Sequence, residues 1–159
     1  MTDINYDKLF EMLQGVTFKE RKEKHYTNRR GFPDYRGACF GIIKPRYKSG
    51  GPRLSRDSRK YPEIHEEIFK IGRALCDFDF SSVQLNKCLV CPRHIDSRNG
   101  SGETLIVSLG DYTGGLLIIE GMGTFDTNRK AVTFDGTKLF HYNTEIKSGT
   151  KYSLVFYKC

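Results

Sequence analysis

Apolar residues repeat at two different periods in this chain, and the change of period divides it. Tyr6, Leu9, Phe10 and Leu13 fall on one face at helical spacing, which predicts a short helix over 3–14 with Gly15 as its stop. Ile64, Ile68, Ile71 and Leu75 recur in the same way after Pro62 and the early glutamates Glu63, Glu66 and Glu67. That pattern predicts a second helix over 61–75, packed outside a β structure. Beyond residue 83 the pattern turns into short runs of β-branched, aliphatic and aromatic residues, at 83–87, 103–109, 115–120, 131–135, 139–142 and 151–157. Turn-forming stretches, including 121–128 and 147–150, separate them, as in a sandwich or barrel. Residues 38–43 read as an earlier buried strand. Asp135-Gly136 reads as a tight hairpin delivering 139–142 into the core, and Gly114-Gly115 as a turn or close backbone approach. Residues 48–60, rich in Gly, Ser, Pro and Arg, read as a flexible loop that orders on a ligand.

The fold class read from this pattern is mostly β with flanking helices. A chain of 159 residues with 38% hydrophobic and 13% aromatic content is expected to form one domain with a proper core. Its parts are a basic, loop-rich segment 17–60, the helix 61–75 and a β core 83–159. No apolar run reaches membrane length and the first residues lack the features of a signal peptide, so a soluble, intracellular monomer is expected, with no membrane contact. The odd set of five cysteines fits a reducing compartment. Cys88 and Cys91 form a lone C-x-x-C without a second ligand pair, which reads as two ordinary thiols.

Charge changes the picture. Residues 17–60 hold fourteen Lys/Arg against four Asp/Glu, a local excess of ten in a chain whose net charge is +7. A single-sign block interleaved with Tyr26, Phe32, Tyr35, Tyr47 and Tyr61 suits a polyanion: cations track phosphates while aromatic faces stack on unpaired bases.

The candidate chemistry lies in the β core. His94 and Asp96 are two residues apart, so in an extended segment they share a face. Of the other histidines, His25 sits in the basic tract and His65 in a Glu-rich helix. His141 stands in an apolar strand-like run. An imidazole, a carboxylate and a second imidazole make the facial set that leaves positions open on Fe(II). In the last strand, alternation puts Lys151, Ser153, Val155 and Tyr157 on one face and Tyr152, Leu154 and Phe156 on the other. A cation with a hydroxyl neighbour facing such a site is a carboxylate receptor, as an enzyme using 2-oxoglutarate requires.

The segments H-I-D-S-R-N-G-S-G-E-T-L-I-V, from His94 to Val107, and K-Y-S-L-V-F-Y, from Lys151 to Tyr157, resemble the corresponding motifs of the TET/JBP nucleobase oxygenases. These are Fe(II)/2-oxoglutarate dioxygenases with a double-stranded β-helix (jelly-roll, cupin-like) fold. The resemblance implies that fold, iron ligands at His94, Asp96 and His141, and a 2-oxoglutarate pair at Lys151 and Ser153, with O2 as the other co-substrate. It also implies that Asn99 touches the target base and that Tyr157 lines its pocket. Arg98 is read as a contact to phosphate or co-substrate. Lys151 stands where the TET branch has arginine and prolyl hydroxylases have lysine, and Cys159 stands where TET enzymes carry a base-reading histidine. The activity expected is hydroxylation of a base methyl group, of 5-methylcytosine or thymine, in DNA rather than RNA. The alternatives are a prolyl-hydroxylase-like oxygenase acting on a protein side chain, and a non-enzymatic nucleic-acid-binding barrel.

Overall fold

The computed structural model describes residues 3–18, 20–21, 35–44, 51–96 and 102–159. The first helix, α1, spans Tyr6–Gln14. It begins where Asn5 can cap it, accepting the Lys8 amide at 3.0 Å. Gly15 ends it in right-handed rather than left-handed geometry (φ −77°). Next come β1 (Glu20–Arg21), β2 (Tyr35–Ile43) and β3 (Arg53–Leu54), followed by α2 (Arg56–Lys60) and α3 (Pro62–Leu75). The rest is β: β4 (Ser82–Lys87), β5 (Glu103–Gly110), β6 (Thr113–Gly114), β7 (Leu117–Ile119), β8 (Gly123–Phe125), β9 (Val132–Asp135), β10 (His141–Asn143), β11 (Ile146–Ser148) and β12 (Lys151–Tyr157).

The principal sheet runs β1-β2-β4-β12-β5-β9 with β3 on β2, and its pairings are antiparallel. Opposite it stand the three-stranded sheet β10-β7-β8 and the two-stranded sheet β11-β6. Period-two alternation sorts the principal sheet into two faces. Ala38, Phe40, Val83, Leu85, Leu105, Val107, Leu109, Tyr152, Leu154 and Phe156 meet Leu9 and Leu13 of α1 and Ile64, Ile68 and Ile71 of α3 in the larger core. From the other face Ile106, Val132, Phe134 and Val155 meet Leu117, Ile119, Phe125 and Leu139 in a smaller core between the sheets. This is the double-stranded β-helix, with helices outside and a functional cavity expected inside.

The structure corrects four expectations. Residues 53–60 are not a loop: Ser55 caps α2 through the Ser58 amide at 3.1 Å, and its hydroxyl donates to the Cys39 carbonyl at 2.7 Å. Asp135-Gly136 turns the chain but forms no hairpin, because β9 pairs with β5 and β10 with β7 in the opposite sheet. The stretches 121–128 and 147–150, read as turns, contain β8 and the end of β11. Among the aromatics read as base-stacking faces, Tyr61 is instead packed on the core, 6.5 Å ring to ring from Phe18. Tyr26, Phe32 and Tyr47 lie outside the described residues. Among those described, no helix is long and apolar enough to cross a membrane.

Candidate metal centre

Two backbone devices place the histidines. His94 forms an isolated antiparallel bridge to His141: the His94 amide donates to the His141 carbonyl at 3.1 Å and the reverse bond measures 2.9 Å. The chain leaving β4 is thus joined to β10, whose register His141↔Ile119 is fixed by β7. Two residues on, the Asp96 amide donates to the Gly136 carbonyl at 2.8 Å, so the turn after β9 holds the carboxylate in place. Gly136 leaves no room for a side chain here. A Cβ there would stand 3.0 Å from Asp96 Oδ2 and 2.9 Å from Thr104 Oγ1.

The side chains then converge. His94 Nε2 lies 3.4 Å from Asp96 Oδ1 and His141 Nε2 lies 3.3 Å from Asp96 Oδ2. Each imidazole places Nδ1 on a backbone carbonyl, Pro92 at 2.7 Å and Leu139 at 2.9 Å. A carbonyl only accepts, so Nδ1 carries the proton and Nε2 presents its lone pair to the centre. One ligand atom from each of the three residues falls within a 4.8 Å span. Ligand atoms at right angles about a first-row cation, with bonds of about 2.1 Å, stand roughly 3 Å apart, so a small inward shift closes this set on one ion. Burial pushes the Asp96 carboxyl up, but hydrogen bonds and charge from the His141 and His94 imidazoles in their protonated form outweigh it and hold it well below the usual carboxylate range. It is a carboxylate, able to ligate, at neutral pH. The Phe134 ring stands edge-on to His141 at 4.9 Å, closing the apolar side.

Lys151 opens β12 on the interior face, 2% exposed. Its Nζ donates to the Gly115 carbonyl at 2.8 Å and lies 5.5 Å from the centre of the Tyr112 ring. No carboxylate pairs with it among the described residues. Burial lowers its pKa, with Cys91, Asp126 and Cys88 opposing. Gly115 meets it at positive φ (+60°), where a Cβ would touch Nζ at 3.3 Å. Ser153 shares that face, half-buried, opposite Ser108 on β5 and Asn86 on β4. Tyr157 pairs with Ser82 and Thr104 at the other end of the strand. Asn99 and Arg98 lie outside the described residues.

Three polar groups near the lysine were missed in the sequence. Tyr112 is 8% exposed, and its hydroxyl has no hydrogen-bond partner among the described residues. The neighbouring Ser108 and Thr127 hydroxyls bond each other at 2.8 Å. A hydroxyl and a buried ammonium that find neither a hydrogen-bond partner for the one nor a carboxylate for the other among the described residues fit an anionic ligand. The alternation of Ser108 with Leu105, Val107 and Leu109 was the available signal for its inward face. Tyr112 sits in a turn sequence that carries none.

No family model matches the sequence, and no curated protein was found similar to it. The fold does have counterparts among solved structures. One is NgTET1 in complex with 5mC DNA, with a TM-score of 0.62 at 14% identity over 96% of this chain and 67% of that one. Another is an oxidoreductase of the 2OG-Fe(II) oxygenase family from Burkholderia pseudomallei, with a TM-score of 0.57 at 14% identity over 95% of this chain and 76% of that one. The chain has the double-stranded β-helix fold of the 2-oxoglutarate/Fe(II) oxygenases.

Proposed function

We propose that this chain is an Fe(II)- and 2-oxoglutarate-dependent oxygenase that hydroxylates a methyl group of a nucleic-acid base, 5-methylcytosine or thymine, in DNA. The observation that carries the proposal is the meeting of His94, Asp96 and His141 in a barrel that also buries a lysine with no carboxylate partner among the described residues. His94 and His141 would hold the iron through Nε2 and Asp96 through a carboxylate oxygen. Bound there, Fe(II) with 2-oxoglutarate and O2 supplies C–H oxidation, coupled to decarboxylation of the keto acid to succinate.

The chain's own groups bind, orient and exclude water. Lys151 and Ser153 take the far carboxylate of the keto acid, with the Tyr112 hydroxyl beside them. Ile106, Phe134, Val155 and Ile119 keep the space between the sheets dry. The basic tract 17–60 follows the phosphate backbone, and the target nucleotide is flipped from the duplex at a cost of a few kcal/mol. Asn99 offers an amide to the base edge, Tyr157 walls the pocket and Arg98 contacts phosphate or co-substrate. The protein acts as a monomer. The likeness to NgTET1, seen there with 5mC DNA, supports the choice of substrate class.

Lysine in place of arginine at 151 favours a second reading, a hydroxylase of protein side chains. Incubation with Fe(II), 2-oxoglutarate and O2 separates the two. One arm uses methylcytosine- or thymine-containing oligonucleotides read by nucleoside mass spectrometry, the other proline-containing peptides. Hydroxymethylated base with matching succinate supports the proposal, and hydroxyproline supports the second reading. Neither product, with no iron bound, leaves a non-enzymatic nucleic-acid-binding barrel.

A further inference from the structure

The barrel wall beside Lys151 carries a chain of three hydrogen-bonding side chains to which the reaction as described gives no role. Cys39 on β2 and Gln84 and Asn86 on β4 point away from the helices, because Ala38, Phe40, Val83 and Leu85 fill the opposite face. Cys39 and Gln84 are direct cross-strand partners, and the thiol donates to Gln84 Oε1 at 2.9 Å. A thiol hydrogen seeks the amide oxygen, which settles the way Gln84 faces. Its Nε2 then donates to Asn86 Oδ1 at 3.1 Å, and to the Leu85 carbonyl at 3.2 Å.

The consequence falls on Asn86. With Oδ1 taken, its remaining polar atom, Nδ2, has no partner among the described residues, and the residue keeps 6% of its surface exposed. Asn86 is the cross-strand partner of Ser153, and Ser153 of Ser108. Residues directly opposite in an antiparallel pair stand about 5 Å apart at Cβ, and diagonal neighbours about 7–8 Å. Asn86 is thus adjacent to Ser153 and diagonal to Lys151 on one face. A donor held outward beside a hydroxyl and a buried ammonium calls for an acceptor with negative charge.

We propose that Asn86 is a specificity-determining residue for the keto acid, donating from Nδ2 to the far carboxylate of 2-oxoglutarate alongside Lys151 and Ser153. Gln84 and Cys39 are positioning residues that hold the amide donor-side out. The inference rests on the reading of the site as a 2-oxoglutarate pocket. It adds a means by which a five-carbon dicarboxylic keto acid is told from a shorter monocarboxylic one.

The test is calorimetry on the full chain loaded with Mn(II), a redox-quiet stand-in for Fe(II), using 2-oxoglutarate and 2-oxobutanoate. The second ligand keeps the chelating keto acid and lacks the far carboxylate. Asn86→Ala should weaken 2-oxoglutarate on the order of tenfold, the loss of one hydrogen bond to a charge. Asn86→Asp should weaken it on the order of a hundredfold by adding like charge. Both should leave 2-oxobutanoate within about twofold, since that ligand makes no such contact. Gln84→Glu keeps the acceptor for Cys39 but frees the Asn86 amide, and should fall between wild type and Asn86→Ala. Equal weakening of both keto acids, or no weakening of either, overturns the role of Asn86 while leaving the site reading intact. A wild-type chain that binds neither keto acid overturns the site reading and this inference together.

Discussion

His94 and His141 are joined through their backbones before any metal joins their side chains, each amide donating to the other's carbonyl. The two imidazoles are therefore held side by side, His141 on β10 and His94 on the segment bridged to it, and their Nε2 atoms approach a common carboxylate without rearrangement of the fold. Preorganisation of this kind predicts a site that survives loss of its ion, with metal adding stability by mass action. At about a hundredfold excess over Kd the gain is about 2.7 kcal/mol, or roughly 5–10 °C in Tm for a chain of this size. Thermal melts with Mn(II), with Mn(II) plus chelator, and of Asp96→Ala check it. The rise should vanish in the last two.

Gly136 is the narrow point of the site. Gly136→Ala drives a methyl group against Asp96 Oδ2 and Thr104 Oγ1. Metal affinity should fall on the order of tenfold to a hundredfold, as when a group that orients a ligand is disturbed. Far-UV circular dichroism should be unchanged, and metal titration gives the affinity.

Lys151 is held for binding at the expense of stability. Its pKa is lowered mainly by burial, so the folded state disfavours the charged form. That cost is fully present below the folded pKa and disappears as pH rises through the unfolded value of about 10.4. Lys151→Met keeps the length without the charge. It should raise the Tm of the ligand-free chain at neutral pH by a few degrees, with the gain shrinking towards pH 11, and abolish 2-oxoglutarate binding. Melts across pH and calorimetry at neutral pH measure the two halves.

Ser55 fastens α2 to β2 through its cap and through the Cys39 carbonyl. Ser55→Ala should cost about 1 kcal/mol or more, seen as a fall of roughly 2–4 °C in Tm. A change too small to resolve would mean that residues 53–60 contribute little order.

The two faces of β12 were legible from alternation alone, and the burial of Tyr152, Leu154 and Phe156 against the helices follows it residue by residue. So was the pairing of His94 and Asp96 with His141, because few imidazoles were available. Turn chemistry is local and does not say which sheet the next strand joins. Asp135-Gly136 thus looked like a hairpin although its flanking strands lie in opposite sheets. R-D-S-R-K has no apolar period, and α2 owes its place to Ser55 and to Asp57, which accepts the Cys39 amide at 2.9 Å. Tyr61 looked exposed because charge surrounds it in sequence, yet its ring meets Phe18. Asn86 carried no signal, since its role depends on register with Ser153.

The most direct measurement is an anaerobic titration of the chain with Fe(II) and 2-oxoglutarate, followed by the visible charge-transfer absorption of an iron-chelated keto acid. The wild-type chain should develop the band at one equivalent of each component. His94→Ala, Asp96→Ala and His141→Ala should develop none, and Lys151→Met should need far more keto acid. Absence of the band in the wild-type chain, or its persistence in all three ligand variants, would contradict the account.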